Sequence, residues 1–153
     1  MVGRNILEHS ESNKHIFIAP TSKELNLLDR DAVKASLSRE MPDLIIHSAG
    51  LVGGIQANIE SPVDFLLKNT DMGLNVISSA ASVGIKNLIN LGSSCMYPRE
   101  ASNPLNENLI LQGELEPTNE GYALAKIVAT RLCEYIVRED STKNYKTIIP
   151  CTL

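Results

Sequence analysis

The sequence predicts an α/β protein built on a doubly wound parallel sheet, and two observations predict it. Short apolar runs at 15–19, 43–50, 86–92 and 143–151 alternate with longer helical segments at 31–40, 62–83 and 119–138. Strands that alternate with helices in this way are the pattern of a parallel sheet wound through crossover helices. The runs at 43–50 and 86–92 also end in small residues, Ser48-Ala49-Gly50 and Gly92-Ser93-Ser94-Cys95. Open parallel sheets bind ligands at the carboxyl ends of their strands.

Taken in order, Met1-Val2-Gly3 runs into Asn5-Ile6-Leu7 as the opening of a helix and resembles the last third of a Gly-x-x-Gly-x-x-Gly dinucleotide fingerprint. Such glycines let the backbone approach a pyrophosphate at a helix N-terminus, which makes Gly3 a cofactor candidate. On that reading the sheet lacks its first strand, leaving edges that ought to be paired. His15–Ala19, closed by Pro20, is expected as the second strand. The residues after it, Thr21-Ser22-Lys23, include neither an acid for the ribose 2′-hydroxyl of NAD nor an arginine for the 2′-phosphate of NADP.

Asp31–Glu40 reads as an amphipathic helix with Val33 and Leu37 inward and Asp31 as its cap. Asp43–Gly50 is a buried strand running into a turn that admits a ligand close to the backbone, so Ala49 and Gly50 are cofactor candidates. His47 is read as a structural residue at the strand end. From Pro62 to Val83 the apolar positions Val63, Leu66, Leu67, Leu74, Ile77 and Ala81 give a long helix, and Gly84 ends it.

Lys86–Gly92 is the next strand and delivers Ser93, Ser94 and Cys95 at its end. Arg99–Pro117 is too polar for core and reads as a surface connection. Thr118 or Asn119 caps the helix that follows, and Lys143–Cys151 is the last strand.

The totals narrow the function. One hundred and fifty-three residues make one domain, 1–153, with chain enough for a sizeable core. A net charge of −4 without clustered basic residues argues against nucleic acid, and no apolar run is long enough for a bilayer. No secretory signal is visible. Cys95, Cys133 and Cys151 form an odd set without metal-ligand spacing, which fits free thiols in a reducing cytoplasm and predicts no metal site.

The chemistry gathers between Leu91 and Lys126. Tyr122 and Lys126 stand four apart on a helix and share a face, so the ammonium lies beside the phenol and favours phenolate. A free phenol titrates near 10, too high for easy proton exchange at neutral pH. Ser93, arriving from a separate strand, completes a Ser/Tyr/Lys set around a carbonyl oxygen. Spacing alone equally describes a partly exposed helical turn.

The flanking residues add a resemblance. Gly92-Ser93-Ser94-Cys95-x-Tyr97-Pro98 and Glu116-Pro117-Thr118-Asn119-Glu120-x-Tyr122-Ala123-x-Ala125-Lys126 resemble the GDP-L-fucose synthases, which are extended short-chain dehydrogenases/reductases. Glu24-Leu25-Asn26-Leu27-Leu28-Asp29 and Val52-Gly53-Gly54-Ile55 carry the resemblance over nearly the whole chain. It implies a Rossmann-like domain truncated at both ends, lacking its first strand and its C-terminal substrate region.

The implied reaction is epimerisation of GDP-4-keto-6-deoxy-D-mannose at C3 and C5, then reduction at C4 with NADP(H) as cofactor. The implied roles give Ser93 to the carbonyl, Cys95 to proton exchange at the sugar carbons, and Tyr122 to protonation of the C4 oxygen. Lys126 lowers the pKa of Tyr122 and contacts the nicotinamide ribose. Asn26 and Leu27 lie where related reductases cover the adenine, and the implied partner acid is a histidine expected downstream of Leu153. Ser94 takes a backbone or structural role. The implied partners are the GDP-sugar and a second copy, paired through the 62–83 and 119–138 helices.

Two alternatives remain open. One is another nucleotide-sugar enzyme of the same superfamily, a 4-epimerase or a dehydratase. A dehydratase needs an acidic pair near Ser94-Cys95, and this chain has none. The other is an inactive fragment that serves only as a binding or dimerising module.

Overall fold

The computed structural model describes residues 2–150. Its helices are α1 (Val2–Glu8), α2 (Arg30–Glu40), α3 (Ile55–Glu60), α4 (Pro62–Ser82) and α5 (Glu120–Glu139). Its strands are β1 (Ile45–His47), β2 (Asn87–Leu91) and β3 (Asn144–Ile148). The strands form one parallel sheet in the order β1-β2-β3, with Ile45 opposite Leu88 and Leu88 opposite Tyr145. The α/β class and the parallel sheet are as the sequence predicts.

Side chains alternate across a strand, so Leu88 and Asn90 share one face with Tyr145 and Thr147. That face carries the main core: Leu88 and Tyr145 pack with Val76, Ile77 and Ala80 of α4 and Ala129 and Cys133 of α5. The two helices approach closely at Gly73, where a Cβ would stand 3.2 Å from Ala129 Cβ. Val33 brings α2 against the same core.

α4 begins with Pro62 in its first turn, where a missing N–H costs nothing. It ends before Gly84, whose φ of +89° suits a residue without a side chain.

Four local expectations are corrected. His15–Ala19 is no strand: among the described residues no strand lies beyond β1 to pair with it, and Ile16 is 97% exposed. A lone extended segment has no ladder to hold it. The cap of α2 is Asp29, which accepts from Ala32 N at 3.0 Å, and Asp31 lies in the first turn instead.

Asn119 occupies the cap position of α5 without a side-chain cap bond. The 99–117 connection is not wholly superficial either. Ile110 and Leu115 are buried with Met96, Ala123 and Ile127, forming a second small core under the Ser93–Cys95 turn. Cys151, at the end of the last predicted strand, lies outside the described residues.

Candidate active site

β2 ends at Leu91, and Gly92 follows in a tight place where any side chain would push on its neighbours. A Cβ there would meet Met96 Sδ at 3.1 Å, Thr147 Cγ2 at 3.1 Å and Ile149 Cγ1 at 3.3 Å. The chain then folds into a short 3₁₀ turn, Ser94–Met96, anchored by the fully buried Met96. The Ser93 N–H points at Met96 Sδ, 3.4 Å away. This turn sets Ser93 and Cys95 on one side, and the Cys95 thiol donates to Ser93 Oγ at 3.1 Å.

α5 brings in the other pair. Lys126 is 7% exposed, and its Nζ donates to the Leu91 carbonyl at 2.9 Å. The same nitrogen sits 5.6 Å from the centroid of the Tyr122 ring. One lysine thereby ties the end of β2 to the helix that carries the phenol.

Electrostatics in this pocket follow from burial. Desolvation is the first cause holding Lys126 below the ordinary lysine value, with the Cys95 sulfur opposing it. Burial likewise raises Cys95, against the opposing pull of the Ser93 hydrogen bond and Lys126. Tyr122 is raised as well, by burial first and then by Cys95. The four-residue spacing predicts a lowered phenol; burial reverses the direction in this arrangement. The groups at rest are a phenol, a thiol and an ammonium.

A second cradle adjoins them. A Cβ on Gly3 would lie 2.8 Å from Ser48 Oγ, so α1 starts in direct contact with the loop after β1. A Cβ on Gly50 would lie 3.0 Å from Asn69 Oδ1 and 3.9 Å from Lys126 Nζ. Gly3 therefore lies against the Ser48–Gly50 loop and Gly50 near Lys126 Nζ, with Ala49 exposed between them. Backbone of this kind fits a dinucleotide laid across the carboxyl end of a parallel sheet.

Asn26 and Leu27 belong to a separate turn. Asn26 Oδ1 accepts from Leu28 N at 3.1 Å, and the Leu27 carbonyl accepts from Asn75 Nδ2 at 2.9 Å. At the 21–24 turn, Glu24 folds back so that its carboxylate accepts from both the N–H and the hydroxyl of Thr21, each at 2.8 Å. These bonds hold Glu24 below the ordinary carboxylate value. Thr21 is thus already engaged, leaving Ser22 and Lys23 exposed as the groups free to meet a ribose phosphate.

Asn69 is a residue the sequence reading missed. It is buried on α4; its Oδ1 accepts from Leu51 N at 2.8 Å, and its Nδ2 donates to Leu51 O at 3.1 Å and Phe65 O at 2.7 Å. The amide mimics a strand neighbour and clamps the loop beside Lys126. An asparagine within a helix gives no sequence signal for this, because the partner loop lies 18 residues away.

His47 is 5% exposed at the end of β1. Its pKa is lowered to about 4, by burial first and by Lys126 second. It is a neutral imidazole at neutral pH.

The chain was also compared with known proteins. The model of the NAD dependent epimerase/dehydratase family matches residues 1–153. A GDP-L-colitose synthase of Yersinia pseudotuberculosis is 56% identical over 153 residues, covering 100% of this chain and 50% of that protein. A GDP-L-fucose synthase of Azorhizobium caulinodans is 48% identical, covering 100% of this chain and 49% of that protein.

Among solved structures, a GDP-L-fucose synthetase from Naegleria fowleri bound to NADP is similar with a TM-score of 0.83 at 27% identity. The match covers 94% of this chain and 48% of that one. The chain spans about half the length of the curated relatives it matches.

Proposed function

This chain belongs to the NAD dependent epimerase/dehydratase family, and on that ground we propose that it carries the cofactor and proton-transfer half of a GDP-sugar synthase. The reaction is epimerisation of GDP-4-keto-6-deoxy-D-mannose at C3 and C5 followed by NADPH-dependent reduction at C4. The observation that carries this reading is the Lys126–Leu91 bond, which ties the end of β2, just ahead of the Ser93/Cys95 turn, to the Tyr122 helix. The GDP-L-fucose and GDP-L-colitose synthase relatives support the substrate class, and the NADP-bound neighbour supports the cofactor.

Each residue's part follows from its chemistry. Hydrogens next to a ketone leave only when the developing enolate oxygen is stabilised, and the Ser93 hydroxyl and the Tyr122 phenol are the donors for that oxygen. Cys95, held as a thiol by burial, gives its proton to one face of the enolate carbon once a base on the opposite face has taken the original one, and the sulfur regains a proton from solvent, its hydrogen resting on Ser93 between turnovers. NADPH, when bound, supplies the hydride for C4.

Tyr122 protonates the resulting C4 oxygen. Its raised pKa keeps the proton available, and the Lys126 ammonium stabilises the phenolate that remains. Gly3 faces the pyrophosphate, Ala49 and Gly50 let the cofactor lie close to the backbone, Lys126 contacts the nicotinamide ribose, and Asn26 and Leu27 cover the adenine.

The reading includes a homodimer through the 62–83 and 119–138 helices. Exposed Val63 and Leu67 on α4, with Leu124, Val128 and Tyr135 on α5, offer apolar surface for it. A second reading, favoured by the 56% identity to a GDP-L-colitose synthase, keeps the same residues and changes the GDP-sugar they act on.

Titration with NADPH and, separately, NADH, followed by nicotinamide fluorescence, tests the proposal. Saturable binding that prefers NADPH supports it. A folded chain that binds neither overturns the cofactor assignment.

A further inference from the structure

Beneath Lys126 lies a buried row of polar side chains that the proposed reaction leaves unused. Parallel register makes His47 of β1 the Cα partner of Asn90 on β2, and Asn90 the partner of Thr147 on β3. Residues paired in register point to the same face of a sheet, here the face packed against α4 and α5. Asn90 is fully buried and His47 nearly so.

The hydrogen bonds in this row have a direction. Asn90 Nδ2 donates to Thr147 Oγ1 at 3.3 Å. In that bond the Thr147 oxygen accepts, so the NH₂ end of the Asn90 amide faces β3. Oδ1 then points away from Thr147, and it has no donor. A fully buried acceptor without a partner is destabilising until a donor reaches it.

The neighbour on the other side of the row is His47. A neutral imidazole has one N–H and one bare nitrogen, and an ammonium has three N–H groups. Leu91 O uses one of those on Lys126.

We propose that His47 is a positioning residue for Lys126: its ring N–H serves Asn90 Oδ1 and its bare nitrogen accepts from the ammonium, each through one buried water. A single polarised chain then runs from Lys126 through His47 and Asn90 to Thr147, with each donor matched to an acceptor. The opposite order fails, because a flipped Asn90 amide turns its NH₂ toward His47 and leaves the imidazole N–H facing the ammonium. The tautomer of His47 is therefore set by Asn90, and the direction of the Lys126 head by His47. This bears on the proposed reaction because Lys126 is its cation, yet it rests on buried hydrogen bonding alone.

Long-range ¹H–¹⁵N NMR of the ring nitrogens tests it on the chain without cofactor, with the exposed His9 and His15 as internal controls. A single His47 tautomer is expected, with an N–H that exchanges at least about tenfold more slowly than in the controls, as one net hydrogen bond implies. Asn90→Leu should release that N–H to fast exchange and mix the tautomers, and Lys126→Met should shift the resonance of the bare nitrogen.

Mixed tautomers in the wild type overturn the proposal, as does His47 exchange unchanged by Asn90→Leu. If Asn90→Leu does not fold, the wild-type tautomer and Lys126→Met still decide. Since none of these signals requires NADPH, failure here and failure of the cofactor titration are separate results.

Discussion

At the scale of single residues, the site is governed by how little water reaches it. Lys126, Tyr122 and Cys95 are each shifted toward their neutral forms by burial, and the partners between them only partly offset it. Under the proposed reaction, Cys95→Ser should leave NADPH binding intact while removing deuterium exchange at the sugar carbons, read by NMR in heavy water. Tyr122→Phe should instead cut C4 reduction by about two to four orders of magnitude, the usual worth of a positioned acid.

His47 makes a third prediction, independent of substrate. Its folded pKa of about 4 lies below the ordinary 6.5, so between those values the unfolded chain binds more protons. Its contribution to stability is complete above pH 6.5 and is lost as pH falls toward 4, by about 3 kcal/mol at most. Urea midpoints at pH 7 and pH 4.5 should show this loss in the wild type and a smaller one in His47→Gln.

At the scale of elements, loops are held by side chains from helices. Asn69 of α4 binds both backbone groups of Leu51, while Asn75 of the same helix binds Leu27 O. The two residues stand six apart, roughly 9 Å of helix rise. One helix thus spaces the turn proposed for adenine from the loop proposed to let the cofactor lie close to the backbone.

Asn69→Ala should cost about 1–3 kcal/mol by leaving Leu51 N and O without their partner, and should speed hydrogen exchange at the Leu51 amide. Equal urea midpoints and equal exchange in the variant and the wild type would show that the clamp carries no load. The helix ends were partly legible beforehand: Pro62 and Gly84 bracket α4 by local backbone chemistry. The cap of α2 was misplaced by two residues, because Asp29 and Asp31 are both suitable acceptors and only the folded turn selects Asp29.

At the scale of the whole molecule, the sheet has one well-covered face and one sparsely covered face. Ile46 and Ile148 lie on the latter and are exposed, while α4 and α5 cover the former. The outer surface of α4 and α5 carries the apolar residues assigned to self-association. Leu67→Glu with Val128→Glu should therefore shift the chain from dimer to monomer in sedimentation while leaving its helical circular dichroism unchanged. Sedimentation as a monomer in the wild type would remove the dimer from the proposed function.

Residue order was enough for the alternation of strands and helices, the long α4, and the grouping of Ser93, Cys95, Tyr122 and Lys126. Periodicity, helix punctuation and helical spacing are local, and each is written within a few residues. The rest waited on the packed chain. The 15–19 run reads as a strand from its own residues, yet a strand exists only where a neighbour supplies a ladder, and no described strand does so.

Ile110 and Leu115 were hidden in a polar loop until Met96 and Ile127 came to meet them. The direction of the Tyr122 shift, the clamp at Asn69 and the row from His47 to Thr147 all depend on burial and on contacts between distant segments. Desolvation and strand register are properties of the folded molecule, so neither has a counterpart in residue order.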